Sequence, residues 1–437
     1  MVIARLASTS SKLTETTRHS STDIAPGPFG ENRKNAKEEL VSFDDYRSAF
    51  KQKTVGELAR ALFVLRLCSF NIVVDNSLKL MEASERLLGE SLFHWLMRRT
   101  MYGQFVAGDD IHSIQATTQN LRQCGIGPML AIPMEEDVHE GCRDLVHDGN
   151  LQSILDCISL SKQLDPSHPM MQIKVTALMS GDLCCAVKGL DQEENDSLQR
   201  AVDRFNRIGH LAHQKGVTVW VDAEYTYLNP ALNLVSLAMM LNFNKGRPIV
   251  GYTYQNYLKK TFDLLKADVQ FIETKDICFA AKLVRGAYMD KERHLAATEG
   301  YEDPVHPTLA DTTDMYHRSM DLMLRKIAKN PHSYSVILAS HNEGTIHQHQ
   351  RVRHRPKRGH VFFGQLLGMC DQVSYSLGRK NYLVYKSIPY GSIRNTLPYL
   401  CRRAQENRSV LKGVRRERAL LRKAFRERVT GYSKIVN

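Results

Sequence analysis

Hydrophobic positions along most of this chain follow two spacings in turn. Short apolar runs rich in β-branched and aromatic residues alternate with longer stretches in which apolar residues recur at helical spacing, as in SLQRAVDRFNRIGHLAHQKG. Runs of the first kind predict buried strands, and stretches of the second kind predict amphipathic helices. Eight strands are predicted, at 127–133, 171–178, 217–223, 248–255, 279–287, 334–340, 360–365 and 382–388.

Strict alternation of strands and helices predicts parallel strands joined by helical crossovers. Eight such units predict a closed α/β barrel, and an open doubly wound sheet is the alternative if the strand count is off by one or two. Residues 41–115 carry helical spacing instead, for example in VGELARALFVLRLCSF. We therefore predict an N-terminal helical region over 41–115 and a catalytic barrel over 116–437.

Polar side chains recur at or near the carboxyl ends of the predicted strands. They are Lys174, Asp222, Gln255, Arg285, His341, Asn342, Gln365 and Ser387. In a parallel barrel these ends share one face of the molecule, where barrel enzymes build their active sites. The series predicts an enzyme site at the barrel mouth, and a set of solvated surface residues is the alternative.

The net charge of +12 is concentrated in two segments. Residues 402–437 hold twelve Lys and Arg against three Glu, and RVRHRPKR (351–358) adds five cationic residues. A positive charge confined to two segments, with no aromatic residues interleaved among the basic ones, argues against nucleic-acid binding. Leu411, Val414, Leu421 and Phe425 share one face of the basic segment 411–429, which predicts a packed C-terminal helix or a helix on a membrane surface.

The first 40 residues predict a targeting segment and a linker. MVIARLASTSSKLTETTRHSS is basic, rich in Ser and Thr and poor in acids, which is typical of a mitochondrial transit peptide. The alternative is a disordered tail of a cytosolic protein. APGPFGENRKN (25–35) then predicts the linker.

Several common site signatures do not occur in the sequence. It contains neither G-x-G-x-x-G nor a P-loop, and no acyl-transfer signature stands out. His347 and His349 lie in a very basic stretch without carboxylate partners, so we predict no metal site. An anion site combined with redox or imine chemistry remains.

The segment IRNTLPYLCRRAQEN (393–407) predicts a helix that carries a substrate clamp. Tyr399, Arg402, Arg403 and Glu406 recur at spacings of three and four residues, so they share one helical face. Paired guanidinium groups match the two oxygens of a carboxylate. A surface helix with a solvated arginine pair is the alternative.

Lys174 leaves the reaction class open. It suits a Schiff-base lyase built on a barrel, and it suits equally a charged lysine that pairs with Asp222 beside a substrate or cofactor. The sequence pattern alone does not decide between these two interpretations.

Seven segments together resemble the proline dehydrogenase family. They are KVTAL, VDAEYTYLNPAL, TYQNYLKKTF, KLVRGAYMDKER, ASHNEGTI, FGQLLGMCDQVS and YKSIPYG…LPYLCRRAQENRSVL, in the family's order and at comparable spacing. The resemblance implies a distorted (βα)8 TIM-like barrel that binds FAD. It also implies oxidation of a cyclic imino acid at the flavin and a quinone acceptor. Together with the predicted transit peptide and the basic C-terminal segment, a lipid-soluble quinone favours the matrix side of the mitochondrial inner membrane and a peripheral association with it.

The resemblance also implies roles for individual residues. The implied substrate contacts are Lys174, Asp222, Leu283, Ser387, Tyr399, Arg402 and Arg403. Among them, the arginine pair grips the carboxylate and Leu283 forms an apolar wall. The implied cofactor contacts are Gln255, Lys282, Arg285, Gly286, Ala287, Tyr288, Ser340, His341, Asn342, Gln365 and Glu406.

Position 387 bears on which ring is oxidised. Members that prefer proline usually carry Tyr where KSIPYG has Ser387, and a tyrosine there would cover the ring position that bears a 4-substituent. Ser387 opens that volume and offers a hydroxyl to a hydroxyl. With RRAQENRSVLKG, this resembles the hydroxyproline dehydrogenase branch, so the expected substrate is trans-4-hydroxy-L-proline and L-proline is the alternative.

One segment departs from the family pattern. Residues 343–362, EGTIHQHQRVRHRPKRGHVF, are shorter than the corresponding helix and loop and lack apolar periodicity. The sequence therefore does not predict the sixth barrel helix, and it leaves the cofactor affinity that depends on this helix open.

Overall fold

The computed structural model describes residues 41–134, 143–186, 190–351, 360–406 and 414–431. The predicted transit peptide and linker at 1–40 lie outside the described residues. So do Leu411 and the greater part of RVRHRPKR.

Within the described part of the chain, five helices precede the barrel. They are α1 (Tyr46–Ala49), α2 (Val55–Leu67), α3 (Asn71–Asp75), α4 (Ser77–Arg99) and α5 (Met101–Phe105). Helix α2 begins at a capping box, in which the Thr54 hydroxyl accepts from the Glu57 amide and the Glu57 carboxylate accepts from the Thr54 amide. The helical spacing of this region is thus realised as helices.

Eight parallel strands form a closed barrel in chain order. They are β1 (Ile126–Ala131), β2 (Met170–Ile173), β3 (Thr218–Val221), β4 (Val250–Gln255), β5 (Phe279–Val284), β6 (Tyr334–Ala339), β7 (Val361–Leu366) and β8 (Leu383–Pro389). Strand β8 pairs with β1, which closes the sheet. The predicted (βα)8 barrel is confirmed, and the open-sheet alternative is wrong.

Helices surround the strands and continue to the C-terminal end of the described chain. They are α6 (Ile111–Gln123), α7 (Arg143–Leu164), α8 (Gly181–Cys185), α9 (Gln192–Lys215), α10 (Asn229–Phe243), α11 (Thr261–Glu273), α12 (Met289–Glu299), α13 (Leu309–Lys329), α14 (Glu343–Arg351), α15 (Asp371–Arg379), α16 (Ile393–Glu406) and α17 (Arg415–Thr430). A short 3₁₀ turn, Val175–Ala177, follows β2.

The barrel lumen is filled at its lower level and polar above it. A buried cluster fills the lower level, comprising Met129, Met170, Trp220, Ala280, Ile337, Phe362 and Tyr385. Because side chains two residues apart on a strand face the same way, the next inward positions are polar on four strands. These positions are Gln172, Asp222, Lys282 and Ser387. The predicted site at the carboxyl ends of the strands therefore lies directly above a closed apolar floor.

The basic C-terminal helix packs against the N-terminal helical region. Leu420, Leu421 and Ala424 of α17 share a buried cluster with Leu58 and Leu65 of α2. The packed interpretation of this helix is therefore confirmed. Among the described residues, no helix is both long and apolar enough to cross a membrane.

The sixth barrel helix is formed despite its unusual sequence. Helix α14 buries Thr345, Ile346 and His349, and the ring of His349 packs edge-on against Phe363 with centroids 5.1 Å apart. These three buried side chains pack the short helix against the barrel. Residues 352–359, which follow it, lie outside the described part of the chain.

Candidate active site

A hydrogen-bonded chain crosses the barrel lumen from β5 to β8. The ammonium of Lys282 forms an ion pair with Asp222 and donates to Oε1 of Gln172 over 3.0 Å. Nε2 of Gln172 then donates to Oγ of Ser387 over 2.6 Å. Lys282 is buried, whereas 31% of the Asp222 side chain is exposed, so this carboxylate faces the open mouth.

The expected pair of Lys174 with Asp222 is wrong. The Lys174 ammonium lies 3.6 Å from a carboxylate oxygen of Glu224, and Thr176 donates to the other oxygen of that carboxylate over 2.8 Å. Strand β2 ends at Ile173, so Lys174 emerges above the sheet and meets the residue two positions beyond Asp222. The lumen position opposite Asp222 is filled by Lys282, which we had expected at the cofactor.

Leu283 does not line the lumen either. It is fully buried in the layer between the strands and the outer helices, and its carbonyl accepts from the Tyr316 hydroxyl over 3.3 Å. Adjacent residues of a strand face opposite sides, and Lys282 takes the inward side of β5. The expectation that Leu283 forms a wall of the substrate site is therefore corrected.

The predicted clamp helix is formed, and it meets the segment that follows β5. The Arg403 guanidinium lies 5.6 Å from the ring centre of Tyr288 and 5.4 Å from that of Tyr399, and it donates to the Tyr288 hydroxyl over 3.3 Å. Arg402 lies beside it on α16 and is half-buried. The structure thus unites Tyr399, Tyr288 and the arginine pair.

Tyr288 reaches this position through an unusual backbone. Its φ is +57°, in the left-handed region, and it forms the N-cap of α12. Non-glycine residues with such a φ are uncommon and concentrate at functional sites. The preceding Gly286 and Ala287 are half-buried and continue the same strip. Glu406 ends α16, but its side chain lies outside the described residues.

Arg285 connects the end of β5 to two helices. It donates to Oγ1 of Thr345 on α14 over 2.9 Å and to Oγ1 of Thr313 on α13 over 2.5 Å. Burial lowers the pKa of Arg285 below its ordinary value, which still leaves the guanidinium charged at neutral pH. A half-buried cation is therefore fixed beside the first turn of α14.

The loop before α14 gathers three more of the predicted residues. The Asn342 side chain accepts from the Thr345 amide over 3.0 Å, and the Asn342 amide donates to Oγ of Ser340 over 3.0 Å. Nε2 of His341 accepts from the Leu366 amide over 3.2 Å. Burial lowers the pKa of His341 to about 3, so its imidazole is neutral.

The two predicted glutamines behave differently. Gln255 is buried at the end of β4, where its amide accepts from Asn229 over 2.7 Å and donates to the Glu224 carbonyl over 2.9 Å. Gln365 points away from the lumen, because it donates to the Ser340 carbonyl over 3.2 Å and accepts from Ser374 of α15 over 2.9 Å. The expectation of a direct cofactor contact at Gln365 is corrected to a supporting contact behind the Ser340 loop.

Sequence reasoning missed Gln172 and Glu224. Gln172 precedes Lys174 by two residues, so the same strand alternation that selected one residue could have selected the other. Glu224 follows Asp222 by two residues, so the same alternation could have selected it as well.

Comparison with known proteins places these motifs in a family. Residues 114–416 match the family described as proline dehydrogenase. The hydroxyproline dehydrogenase of Xenopus laevis is 44% identical over 423 residues, covering 89% of this chain and 90% of that protein. The human hydroxyproline dehydrogenase is 41% identical, and the match covers 87% of this chain and 92% of that protein. Human proline dehydrogenase 1, mitochondrial, is 30% identical, and the match covers 87% of this chain and 88% of that protein.

Solved structures agree with the fold. Proline utilization A from Bdellovibrio bacteriovorus superposes with a TM-score of 0.62 at 18% identity, and the match covers 93% of this chain but 41% of that longer one. At this identity the likeness concerns the barrel architecture. The resemblance stated from the seven sequence segments is confirmed: this chain belongs to the proline dehydrogenase family.

Proposed function

We propose that this protein oxidises trans-4-hydroxy-L-proline to 3-hydroxy-1-pyrroline-5-carboxylate, with FAD as cofactor and a quinone as electron acceptor. The relatives named hydroxyproline dehydrogenase are 39–44% identical to the chain, whereas those named proline dehydrogenase are 29–30% identical. The observation that carries the proposal is the lumen hydroxyl of Ser387, held by Gln172 over 2.6 Å beside the Lys282–Asp222 pair.

The donor set at the barrel mouth fits FAD. Lys282 supplies a buried ammonium, Arg285 supplies a half-buried guanidinium, and Gln255 supplies a buried amide. The first turn of α14 adds backbone N–H groups beside Arg285, which suits the diphosphate of a dinucleotide. FAD supplies, when bound, the acceptor for the two electrons and the hydrogen removed from the ring.

The other residues predicted to contact the cofactor would hold FAD together with these donors. They are Gly286, Ala287, Tyr288, Ser340, His341, Asn342 and Glu406. Gln365 would act behind them through the Ser340 carbonyl.

The chain's own residues would orient the ring. Arg402 and Arg403 would grip the substrate carboxylate, since guanidinium forks match its two oxygens. Tyr399 would flank the ring from the same helical face, and Asp222 would lie below it at the lumen mouth. Fixing one small ring in a reactive pose can lower the barrier by several kcal/mol, up to roughly 7–11 in the best intramolecular cases.

A visible spectrum of the purified protein tests the proposal most directly. We expect a flavin spectrum that trans-4-hydroxy-L-proline bleaches under anaerobic conditions, and we expect L-proline to bleach it more slowly. A colourless, cofactor-free protein would contradict the proposal. Faster bleaching by L-proline would leave the family chemistry in place and reverse the assignment of the substrate.

Substitution at position 387 tests the basis of the substrate choice. Ser387→Tyr should lower the kcat/KM ratio of hydroxyproline to proline, because a phenol fills the volume near the 4-substituent. Ser153→Tyr, on an exposed face of α7, serves as the matched control. An unchanged ratio in Ser387→Tyr would remove Ser387 from the explanation.

The Schiff-base lyase is disfavoured by the surroundings of Lys174. Its side-chain nitrogen lies 3.6 Å from the buried carboxylate of Glu224, an ion pair that Schiff-base formation at this lysine would break. Borohydride trapping of hydroxyproline on Lys174 in a protein without flavin would reverse this assignment.

We also propose that the protein acts at the matrix side of the mitochondrial inner membrane and attaches to it peripherally. Several of the relatives carry "mitochondrial" in their names, and a quinone acceptor dissolves in lipid. Leu87, Leu92 and Trp95 of α4 are exposed, and the Arg99 guanidinium lies 5.4 Å from the Trp95 ring centre. Leu87→Glu with Trp95→Glu should reduce pelleting with anionic liposomes, and unchanged pelleting would dismiss this surface.

A further inference from the structure

The hydrogen-bonded chain in the lumen has a fixed direction. An ammonium group donates and never accepts, so the Gln172 atom that faces Lys282 must be the carbonyl oxygen Oε1. The Gln172 amide nitrogen is therefore turned towards Ser387, where it donates over 2.6 Å. The orientation of this amide, which is often ambiguous in a protein, is set here by the charge of Lys282.

This direction decides what the Ser387 hydroxyl can do. A serine hydroxyl has one hydrogen to donate and two lone pairs that accept. Gln172 uses one lone pair of Oγ, so the Ser387 hydrogen stays available for an acceptor in the lumen. Gln172 therefore makes Ser387 a donor towards the site.

The location of Gln172 argues against a purely structural role. Its side chain is half-buried and faces inward on β2, level with Lys282 and above the apolar floor. Asp222, next along the same chain of contacts, is open to the mouth. Gln172 therefore lies at the level of the site, above the apolar residues that fill the lumen beneath it.

We infer that Gln172 is a positioning and specificity-determining residue, which orients the Ser387 hydroxyl to donate to the 4-hydroxyl oxygen of a hydroxylated pyrrolidine. This inference rests on the proposed function and deepens it. It assigns the recognition of the ring hydroxyl to a pair of residues on β2 and β8, oriented by the Lys282–Asp222 ion pair. It also predicts that Ser387 alone is not sufficient for the preference.

Two substitutions of Gln172 test the inference. Gln172→Met keeps the shape and removes the hydrogen bonds. Gln172→Glu keeps the shape and provides only acceptors, so the Ser387 hydrogen would turn towards the new carboxylate and away from the site. The glutamate variant should also fold well, because it gains an ion pair with Lys282.

We expect each variant to lose about ten-fold in kcat/KM for trans-4-hydroxy-L-proline, the factor that one hydrogen bond commonly supplies. The loss should fall on KM, because the bond to the ring hydroxyl is the same in the bound substrate and in the transition state. For L-proline, which has no ring hydroxyl, kcat/KM should fall by less than about three-fold. Gln199→Met, on the exposed face of α9, should change neither value.

A double-substitution cycle with Ser387→Ala separates direct from indirect action. If Gln172 acts through Ser387, Gln172→Met should add less than about two-fold to the loss that Ser387→Ala causes alone. If the losses in kcat/KM caused by the two substitutions simply multiply, Gln172 does not act through Ser387 and the positioning role is overturned. Equal losses in kcat/KM for hydroxyproline and for proline would overturn it too. Flavin content and the midpoint of thermal unfolding confirm that each variant is folded; if Gln172→Met is not, Gln172→Glu decides.

The result distinguishes this inference from the proposed function. A parent protein that prefers hydroxyproline, with glutamine variants that keep the preference within about two-fold, would overturn the inference alone. A parent protein whose flavin is bleached by neither imino acid would overturn the proposed function, and the inference with it.

Discussion

Lys386 should be among the most stabilising residues of the barrel. Its side chain is fully buried on the outer face of β8, next in sequence to Ser387, and its ammonium lies 2.9 Å from Oδ1 of Asp371. It also donates to the carbonyls of Leu366 over 3.1 Å and Met369 over 2.5 Å. Lys53, which precedes α2, lies 2.8 Å from the other oxygen of Asp371. This buried ion cluster joins the helical region to the barrel.

The expected effect of Lys386→Met follows from these contacts. Removing one member of a buried ion pair destabilises a protein by about 3–5 kcal/mol, because the remaining charge and its hydrogen-bonding neighbours are left buried. The entropy of unfolding scales to about 0.9 kcal/mol per kelvin for a chain of 437 residues. The midpoint of thermal unfolding should therefore fall by roughly 3–6 °C.

Differential scanning calorimetry at one fixed scan rate measures this shift. Lys380→Met is the matched control, since Lys380 is exposed beside α15 and should shift the midpoint by less than about 1 °C. Lys53→Met should have an intermediate effect, because Asp371 keeps Lys386. Equal midpoints for Lys386→Met and Lys380→Met would refute the reasoning that this ion cluster stabilises the fold.

Three further predictions concern buried polar groups. Burial lowers the pKa of His349 to about 4, so the folded state loses stability as the pH falls below about 6.5. In urea unfolding, the free energy of unfolding of His349→Leu should therefore exceed that of the parent by about 2 kcal/mol at about pH 5 and by little at about pH 8. Burial, and next to it the charge of Asp371, raises the pKa of Glu417 to about 7, so the stability of the parent falls as the pH rises from about 4.5 to about 7. The stability of Glu417→Gln relative to the parent should therefore be higher at about pH 8 than at about pH 5. A difference between variant and parent that does not change with pH would contradict this sign. Asn244 is fully buried and bonds four backbone groups at the starts of β4 and β5, so Asn244→Leu should lower the unfolding free energy by about 3 kcal/mol or more in the same assay.

The fold was predictable from the sequence because barrel strands are buried on both faces. Such strands produce continuous apolar runs, and the polar helices between them make the alternation visible. The runs overestimated the strand lengths, however. The second run extended to residue 178, but β2 ends at Ile173 and the chain then forms a 3₁₀ turn. That difference moved Lys174 above the sheet and changed its partner.

The contacts across the lumen were less accessible to sequence reasoning. Lys282 meets Gln172 across the barrel, 110 residues away, and no local pattern encodes such a distance. The direction in which a strand residue faces was accessible, in contrast. Once Lys282 faces inward, Leu283 must face outward, and the same rule separates Gln365 from its neighbour Leu366. Strict use of the two-residue period would have corrected both assignments.

Helices α2 and α17 complete one another only when nearly all of the described chain exists. Helix α1 is also joined to α17, since the hydroxyl of Tyr46 donates to Glu427 over 2.5 Å, across 381 residues of sequence. Until α17 has left the ribosome, Leu58 and Leu65 of α2 have no apolar cover from that side. This apolar surface of α2 therefore stays exposed until the C-terminal helix is synthesised, which makes the unfinished chain prone to aggregation and a client for chaperones.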